Sequence, residues 1–445
     1  MQRTRPTGMP GFTIVWIGQV VSLLGSGMTW FALTVWAWEI TGQATALALV
    51  GFFSFGPTVL LSPIAGALVD RWNRKPVMML SDLAAGLMTV IVLLLYVTDH
   101  LQIWHLYVTG AFAGAFQTFQ FPAYSAAVTT MLPKEQYARA SGMLSLAEGA
   151  AGIFAPLAGG ILLGPIGVAG IMAIDVVTFV VAIGALLVVR IPQPKTTEAG
   201  RAGRGSLWKE SLYGFRYILK RSSLLGLQLV FLAVNLTASF GFTVLAPMLL
   251  ARTGNDEIVL GSVRSAMGLG GVIGSLLLSV WGGPKRRVHG ILIGMTLSCL
   301  LGMLVLGLGN GLAMWAVGAF FSSFFIPIIN GSNQAIWQAK VAPDVQGRVF
   351  ATRRLIAQIS APLATLLAGP LADHVFEPAM VPGSGLSGIF DGLVGTGPGA
   401  GMALMFVIAG FLGTLVGLGG YAFPAVRDVE EILPDHDAAA MPSAA

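Results

Sequence analysis

The stretch GALVDRWNRKPVM, residues 66 to 78, decides how this chain reads. Four of its six residues from Asp70 to Lys75 are charged, although only 10% of the 445 residues are charged and 55% are hydrophobic. Long uncharged apolar runs lie on both sides. A short charged link between two such runs reads as a hairpin joining two membrane-spanning helices.

Outward from this hairpin the pattern recurs along the chain, and mean hydropathy is +0.79. A bilayer core takes about 20 apolar residues per helix, and only helices or closed barrels satisfy the backbone there. The runs are unbroken rather than alternating, which disfavours a barrel. The fold class is therefore all-α integral membrane. A net charge of +5 does not imply a nucleic-acid partner, because the basic residues cluster in short links at every second connection. That is the positive-inside pattern. The lone Cys299 rules out a disulfide within the chain and makes a thiol metal site implausible. The start MQRTRPTGMPGF has no small-residue cleavage site, so the first span is expected to be retained.

Twelve spans are predicted, at about 12–38, 44–69, 77–97, 103–131, 140–163 and 168–190, then 223–250, 258–281, 290–308, 312–340, 348–376 and 400–424. Of 25 Lys and Arg, only Arg252 and Arg264 fall in the outer half when both termini are placed inside. The expected organisation is an N-terminal six-helix bundle (1–190), a cytoplasmic basic linker (191–222) and a C-terminal six-helix bundle (223–445). The last carries an outer loop (377–399) and a cytoplasmic tail (425–445). Within the linker, Leu207 to Lys220 has the periodicity of an amphipathic segment on the inner leaflet.

The halves read as repeats. A shift of 212 places Thr41-Gly42 on Thr253-Gly254, Gly56 on Gly268 and Arg74-Lys75 on Arg286-Arg287. Further on, Ala155-Pro156-Leu157-Ala158 parallels Ala361-Pro362-Leu363-Ala364. Two parallel six-helix halves form a transporter architecture, with the substrate between them near the midplane.

These residues resemble the major facilitator superfamily, from the first span to the twelfth. GALVDRWNRK is similar to that family's loop between helices 2 and 3: a Gly, three residues, then Asp-Arg-x-Gly-Arg-Arg/Lys. Asn73 stands where the family has Gly, and Asn is the next residue to accept a left-handed turn. In the fifth span, Gly142, Ala151, Ala155-Pro156 and Gly159-Gly160 resemble the motif associated with antiporters. AIDV (173–176), VRIP (189–192) and GRVF (347–350) resemble the macrolide-efflux and enterobactin-exporter branch.

The resemblance implies two pseudo-symmetric bundles, export, and a gate made by Gly66, Asp70, Arg71, Arg74, Lys75 and Arg348. In that gate Gly66 allows close helix approach, and Asp70 faces the N-terminal turn of the eleventh span, Gly347-Arg348-Val349. Simple positive-inside anchoring is the competing reading for the cations. In the second half Gly282 stands where Asp70 would fall, so the gate is expected to be asymmetric.

Ionisable residues inside spans are costly and are candidates for function. Glu148, about 12 Å into the fifth span, is the first choice for proton coupling, with Asp175 and Glu39 behind it. Permanent satisfaction by hydroxyls, helix bracing and reach to the interface are the bland readings of these three. Asp82 is expected to pair with an inner-loop cation, and Arg264 with Asp175 or Glu39, or with an anionic substrate. The fourth span carries Gln117, Gln120 and Tyr124; the tenth carries Asn330, Asn333, Gln334, Trp337 and Gln338. The first carries Gln19, Ser22, Ser26 and Trp30, and the seventh Gln228, Asn235 and Ser239. Spacings of three, four and seven put each set on one face. The resemblance implies that these four helices line the central cavity. Polar bonding between helices is the alternative.

GLGGVIG (268–274) lies in a span, where glycines mean close helix packing rather than phosphate binding. No Walker-type loop and no nucleophile–base set occurs, so no enzyme activity and no cofactor or metal is expected. The expected function is proton-coupled antiport, exporting small amphipathic compounds such as macrolide antibiotics or siderophores across the cytoplasmic (inner) membrane. Protons, membrane lipid and the small-molecule substrate are the partners, and the protein is expected to be a monomer. An importer or facilitator of the same fold is the alternative, and a polytopic enzyme or channel a more distant one.

Overall fold

The structure, a computed structural model, describes residues 6–69, 72–133, 137–192, 214–341 and 346–435. Among these residues there is no strand. In chain order the first five helices are α1 (Gly8–Thr41), α2 (Ala44–Val69), α3 (Arg74–Val97), α4 (Ile103–Met131) and α5 (Tyr137–Val188). Then come α6 (Ser222–Thr253), α7 (Glu257–Trp281), α8 (Arg287–Leu308) and α9 (Leu312–Lys340). They are followed by α10 (Gln346–Leu371), the short α11 (Ser387–Val394), α12 (Ala400–Gly419), and the tail turns α13 (Pro424–Arg427) and α14 (Val429–Ile432).

Ten helices among the described residues are long and apolar enough to cross a membrane. At 1.5 Å per residue the 52 residues of α5 would reach about 78 Å, against a hydrocarbon core of about 30 Å. It breaks at Gly167 (φ 67°, ψ −179°), just after Pro165. Proline removes a helical N–H and glycine accepts the left-handed conformation, so the predicted boundary between the fifth and sixth spans has a local cause. Leu60 and Val280 stand 77% and 89% exposed, which suits a lipid-facing surface.

The Thr-Gly pairs that repeat 212 residues apart serve one purpose. Thr41 Oγ1 donates to the Ala37 carbonyl (2.6 Å) and Thr253 Oγ1 to the Leu249 carbonyl (2.8 Å). Gly42 (φ 59°) and Gly254 (φ 65°) then end their helices in the left-handed conformation. This is the αL termination that glycine permits without Cβ strain. The other repeated pair places Pro156 inside α5 and Pro362 inside α10.

The chain divides into two compact units, residues 1–195 with Leu249–Ser265, and Thr196–Met248 with Ala266–Ala445. In the first, α1 packs along α5, α2 along α4, and α3 against both α4 and α5. In the second, α6 packs against α10 and α12, and α8 against α9 and α12. Gly270 and Gly274 of α7 meet the backbone of Phe320 and Phe324 in α9, much as Gly114 of α4 meets Ser54 of α2.

Small residues of the fifth-span motif also serve close packing. A Cβ on Gly160 would fall 2.8 Å from the Glu257 carbonyl oxygen, and one on Gly261 would fall 2.6 Å from that of Pro156. Ser265 Oγ donates to the Ile153 carbonyl at 2.6 Å, and Trp38 Nε1 to Asn255 Oδ1 at 2.9 Å. These bonds tie Leu249–Ser265 into the first unit.

In the second unit the tail docks on the helix ends beside it. Lys340 Nζ, at the end of α9, donates to the carbonyls of Glu430 (2.6 Å) and Leu433 (2.5 Å) and pairs with Asp435 (2.8 Å). Arg286 pairs with Glu431, and Glu430 accepts from the Val288 amide (3.0 Å) in the first turn of α8. An anion at a helix N-terminus is favoured by the free N–H groups there. In the segment before α12, Glu377 takes the amides of Gly399 (3.0 Å) and Met402 (2.8 Å) and so caps α12. Val394 is buried, whereas Ile389 is 71% exposed.

Candidate functional site

The first unit holds a half-open cavity of about 370 Å³ among α1, α2, α3, α4 and the second part of α5. One face of α1 supplies Gln19, Ser22, Ser26 and Trp30, at the spacing that stacks residues on consecutive turns. Asp82 and Thr89 come from α3, Gln117 and Gln120 from α4, and Asp175 and Phe179 from α5. Leu23, Leu33, Met88, Val92 and Leu106 make the remaining wall largely apolar.

Each carboxylate is held by neutral donors. Gln19 Nε2 donates to Asp82 Oδ2 (2.9 Å), and Gln120 Nε2 to Asp82 Oδ1 (2.8 Å). Gln120 Nε2 also donates to Gln19 Oε1 (2.9 Å), closing a three-residue ring across α1, α3 and α4. Higher in the cavity, Ser26 Oγ donates to Asp175 Oδ1 (3.0 Å) and Thr89 Oγ1 to Asp175 Oδ2 (3.1 Å). Gly25 makes this second arrangement possible. A Cβ there would fall 3.0 Å from Asp175 Oδ1 and 3.1 Å from its Cα, so only glycine lets α1 lie this close to α5.

The polar stripes predicted on the first and fourth spans meet in this cavity, apart from Tyr124. Tyr124 is buried lower down, its ring centroid 6.4 Å from that of Phe12, in a core with Val15, Met78, Val128 and Leu186. Among the described residues Asp82 pairs with no loop cation; Gln19 and Gln120 take that place. The reason is geometric, because the Gln side chains of α1 and α4 face α3 at the level of Asp82. Sequence spacing carries no signal for which helices adjoin.

Glu148 and Glu39 are both exposed and do not line the cavity. Arg264 pairs with neither Asp175 nor Glu39, and its Nε is buried without a hydrogen-bond partner among the described residues.

The second unit gathers its polar residues differently. Arg353, two turns into α10, turns toward α9 so that Nη2 donates to Gln334 Oε1 at 2.8 Å. Its guanidinium lies 5.4 Å from the ring centroids of both Trp337 and Phe350, and its carbonyl accepts from Gln228 Nε2 at 3.2 Å. Asn333 and Trp337 are buried, Asn235 is half-buried, and Asn330 and Gln338 are exposed.

Of the predicted gate, Asp70 and Arg71 lie outside the described residues, as do the surroundings of Gly66 and the side chain of Arg348. Asn73 is extended (φ −69°) rather than left-handed, and its Oδ1 accepts from the Lys75 amide at 3.2 Å. It stands as the N-cap of α3, a place where Asn is favoured. Lys75 Nζ donates to the Val189 carbonyl at 2.7 Å and more weakly to that of Leu187 at 3.4 Å. A cation thus meets the carbonyl end of α5 and ties it to the start of α3.

The first relatives to compare are exporters by name. The chain is 26% identical over 377 residues to macrolide efflux protein A of Streptococcus pyogenes, covering 82% of this chain and 90% of that one. It is 25% identical over 321 residues to the enterobactin exporter EntS of Escherichia coli O6:K15:H31 (strain 536 / UPEC), covering 71% and 73%. Among solved structures, a bacterial homologue of the human lysosomal transporter Spinster superposes with TM-score 0.66 at 16% identity, over 92% of this chain and 98% of that one. A POT family transporter in complex with 5-aminolevulinic acid gives TM-score 0.68 at 10% identity, over 95% and 97%. The sequence model of the Major Facilitator Superfamily matches residues 15–365. With the helical order, the two units and the exporter relatives all agreeing, the chain belongs to the major facilitator superfamily.

Proposed function

We propose that this chain is a secondary active exporter that moves small amphipathic compounds out of the cell across the inner membrane in exchange for protons. The observation that carries the reading is the cavity of the first unit, where an apolar wall surrounds two carboxylates that, among the described residues, are held by neutral donors. A mostly apolar pocket of a few hundred cubic ångströms with a few convergent polar groups is the usual form of a small-molecule site. The exporter names of the relatives supply the direction, and their macrolide and enterobactin cargoes mark the chemical range.

In this reading the polypeptide crosses the membrane twelve times, with α5 making two passes and both termini in the cytoplasm. Two six-helix bundles joined by the basic linker 191–222 alternate access to the substrate. Asp175 inside the cavity, and Glu148 and Glu39 outside it, are the proton-coupling candidates; Gln117 and Gln120 contact substrate. Asp70, Arg71, Arg74, Lys75 and Arg348, with Gly66, form the cytoplasmic gate.

Inside-out vesicles with an acidic lumen test the reading. A macrolide and a catecholate siderophore should each be offered, and at least one should accumulate while the gradient lasts and leak on adding a protonophore. Absence of gradient-dependent accumulation for both classes would remove the export reading.

A further inference from the structure

We propose that Asp82, Gln19 and Gln120 form a recognition site for an organic ammonium group, so that the substrates of this cavity are amphipathic amines in their protonated form. The inference deepens the exporter reading and rests on it for solute access to the cavity. Asp82 accepts one N–H on each oxygen, from Gln19 and Gln120. A carboxylate has about four lone-pair positions, so acceptor capacity is left over. Gln120 is 7% exposed and lines the cavity, and its Oε1 has no hydrogen-bond partner among the described residues. A buried acceptor without a donor carries a desolvation cost.

The ring therefore offers surplus acceptors and surplus negative charge together. No Lys, Arg or His lines the cavity among the described residues. The charged groups there are Asp82 and Asp175. Leaving a carboxylate uncompensated at membrane depth is costly. A proton would relieve the charge but add one donor. An ammonium brings the charge and up to three donors, enough to reach Asp82 and Gln120 Oε1 at once. The substituent on nitrogen then faces the apolar wall, where Trp30 (40% exposed) and Phe179 present aromatic surface. Aromatic faces attract cations, which favours the same class.

Four probes separate the components of this claim: 6-phenylhexylamine, its N,N,N-trimethyl derivative, 6-phenylhexanol and 6-phenylhexanoate. Each is titrated calorimetrically against the full-length protein in nanodiscs, with Asp82→Asn in identical nanodiscs to subtract lipid partitioning. The amine should bind tightest, the trimethyl derivative less, the alcohol weakly and the carboxylate not at all. Asp82→Asn should weaken the amine by about tenfold or more, and Gln120→Leu should erase the preference for the amine over its trimethyl derivative. Carboxylate binding equal to that of the amine, or an unchanged amine affinity in Asp82→Asn, overturns the proposal. Should Asp82→Asn fail to fold by thermal melting, a retained amine preference in Gln120→Leu overturns it. Amine binding that depends on Asp82, without gradient-driven transport of any solute, would instead defeat the exporter reading and leave the site standing.

Discussion

Replacing Lys340 by Met should undock the tail from the second unit without unfolding the helices. The side chain of Lys340 is 6% exposed, and its ammonium holds two carbonyls, Glu430 at 2.6 Å and Leu433 at 2.5 Å, besides Asp435 at 2.8 Å. A hydrogen bond from a charged donor contributes about 1.5–3 kcal/mol. The Asp435 side chain is 53% exposed, so its pairing adds at most a few tenths to about 1 kcal/mol. Once released, the tail hydrates its carbonyls, so the lower value applies to each, about 3 kcal/mol for the two. That corresponds to roughly a hundredfold rise in the open population. Met keeps the apolar stem and isolates the loss of the ammonium. Hydrogen–deuterium exchange reads the effect at the amides of Val426, Ile432 and Leu433, which bond back to Phe423, Asp428 and Val429. Their exchange should accelerate by about a hundredfold, while the amides of α8 and α9 keep their protection. Unchanged exchange in the tail would refute the premise that Lys340 holds it.

Gly25→Val should lower the melting temperature substantially, because the added atoms meet Thr178 and Asp175 across the α1–α5 contact; overpacking of this kind costs about 1–3 kcal/mol, and a melting point equal to wild type would count against the close approach. Asp175→Leu removes the acceptor of the Ser26 hydroxyl and leaves Thr89 only the longer bond to the Ala85 carbonyl, a loss of about 1–3 kcal/mol visible in denaturation; stability at the wild-type level would show that the contact is not formed. Glu377→Ala removes the cap on two amides at the start of α12 and should cost about 1 kcal/mol, with faster exchange at Met402 as the specific sign. Glu148→Gln should abolish proton-driven transport in vesicles while leaving ligand binding intact; undiminished transport takes Glu148 out of the coupling scheme.

The legible part of the molecule is its membrane character and the helices themselves. The apolar runs and the boundary between the fifth and sixth spans are local effects of chain chemistry, and α5 breaks at Gly167, between the predicted span ends at 163 and 168. The polar stripe of α1 and the Gln117–Gln120 pair of α4 were also legible, because helical spacing alone assigns a face. Asp82 was not, since its partners Gln19 and Gln120 lie 63 and 38 residues away. The partners of Arg353 were equally hidden from the sequence, because its guanidinium meets Gln334 and the ring of Trp337 on another helix.

By itself, the sequence determined that this chain is a set of membrane helices joined by short links rich in cations. Hydropathy, helical period and glycine or proline breaks act within a few turns, so they can be read in one dimension. Only the tertiary structure decided which carboxylate meets which amide, that the cavity of the first unit contains both Asp82 and Asp175, and that the tail seats on Lys340. Hydrogen bonds have a reach of about 3 Å, and what lies within it depends on which helices pack together, through small residues such as Gly25 that give no sign of their neighbours.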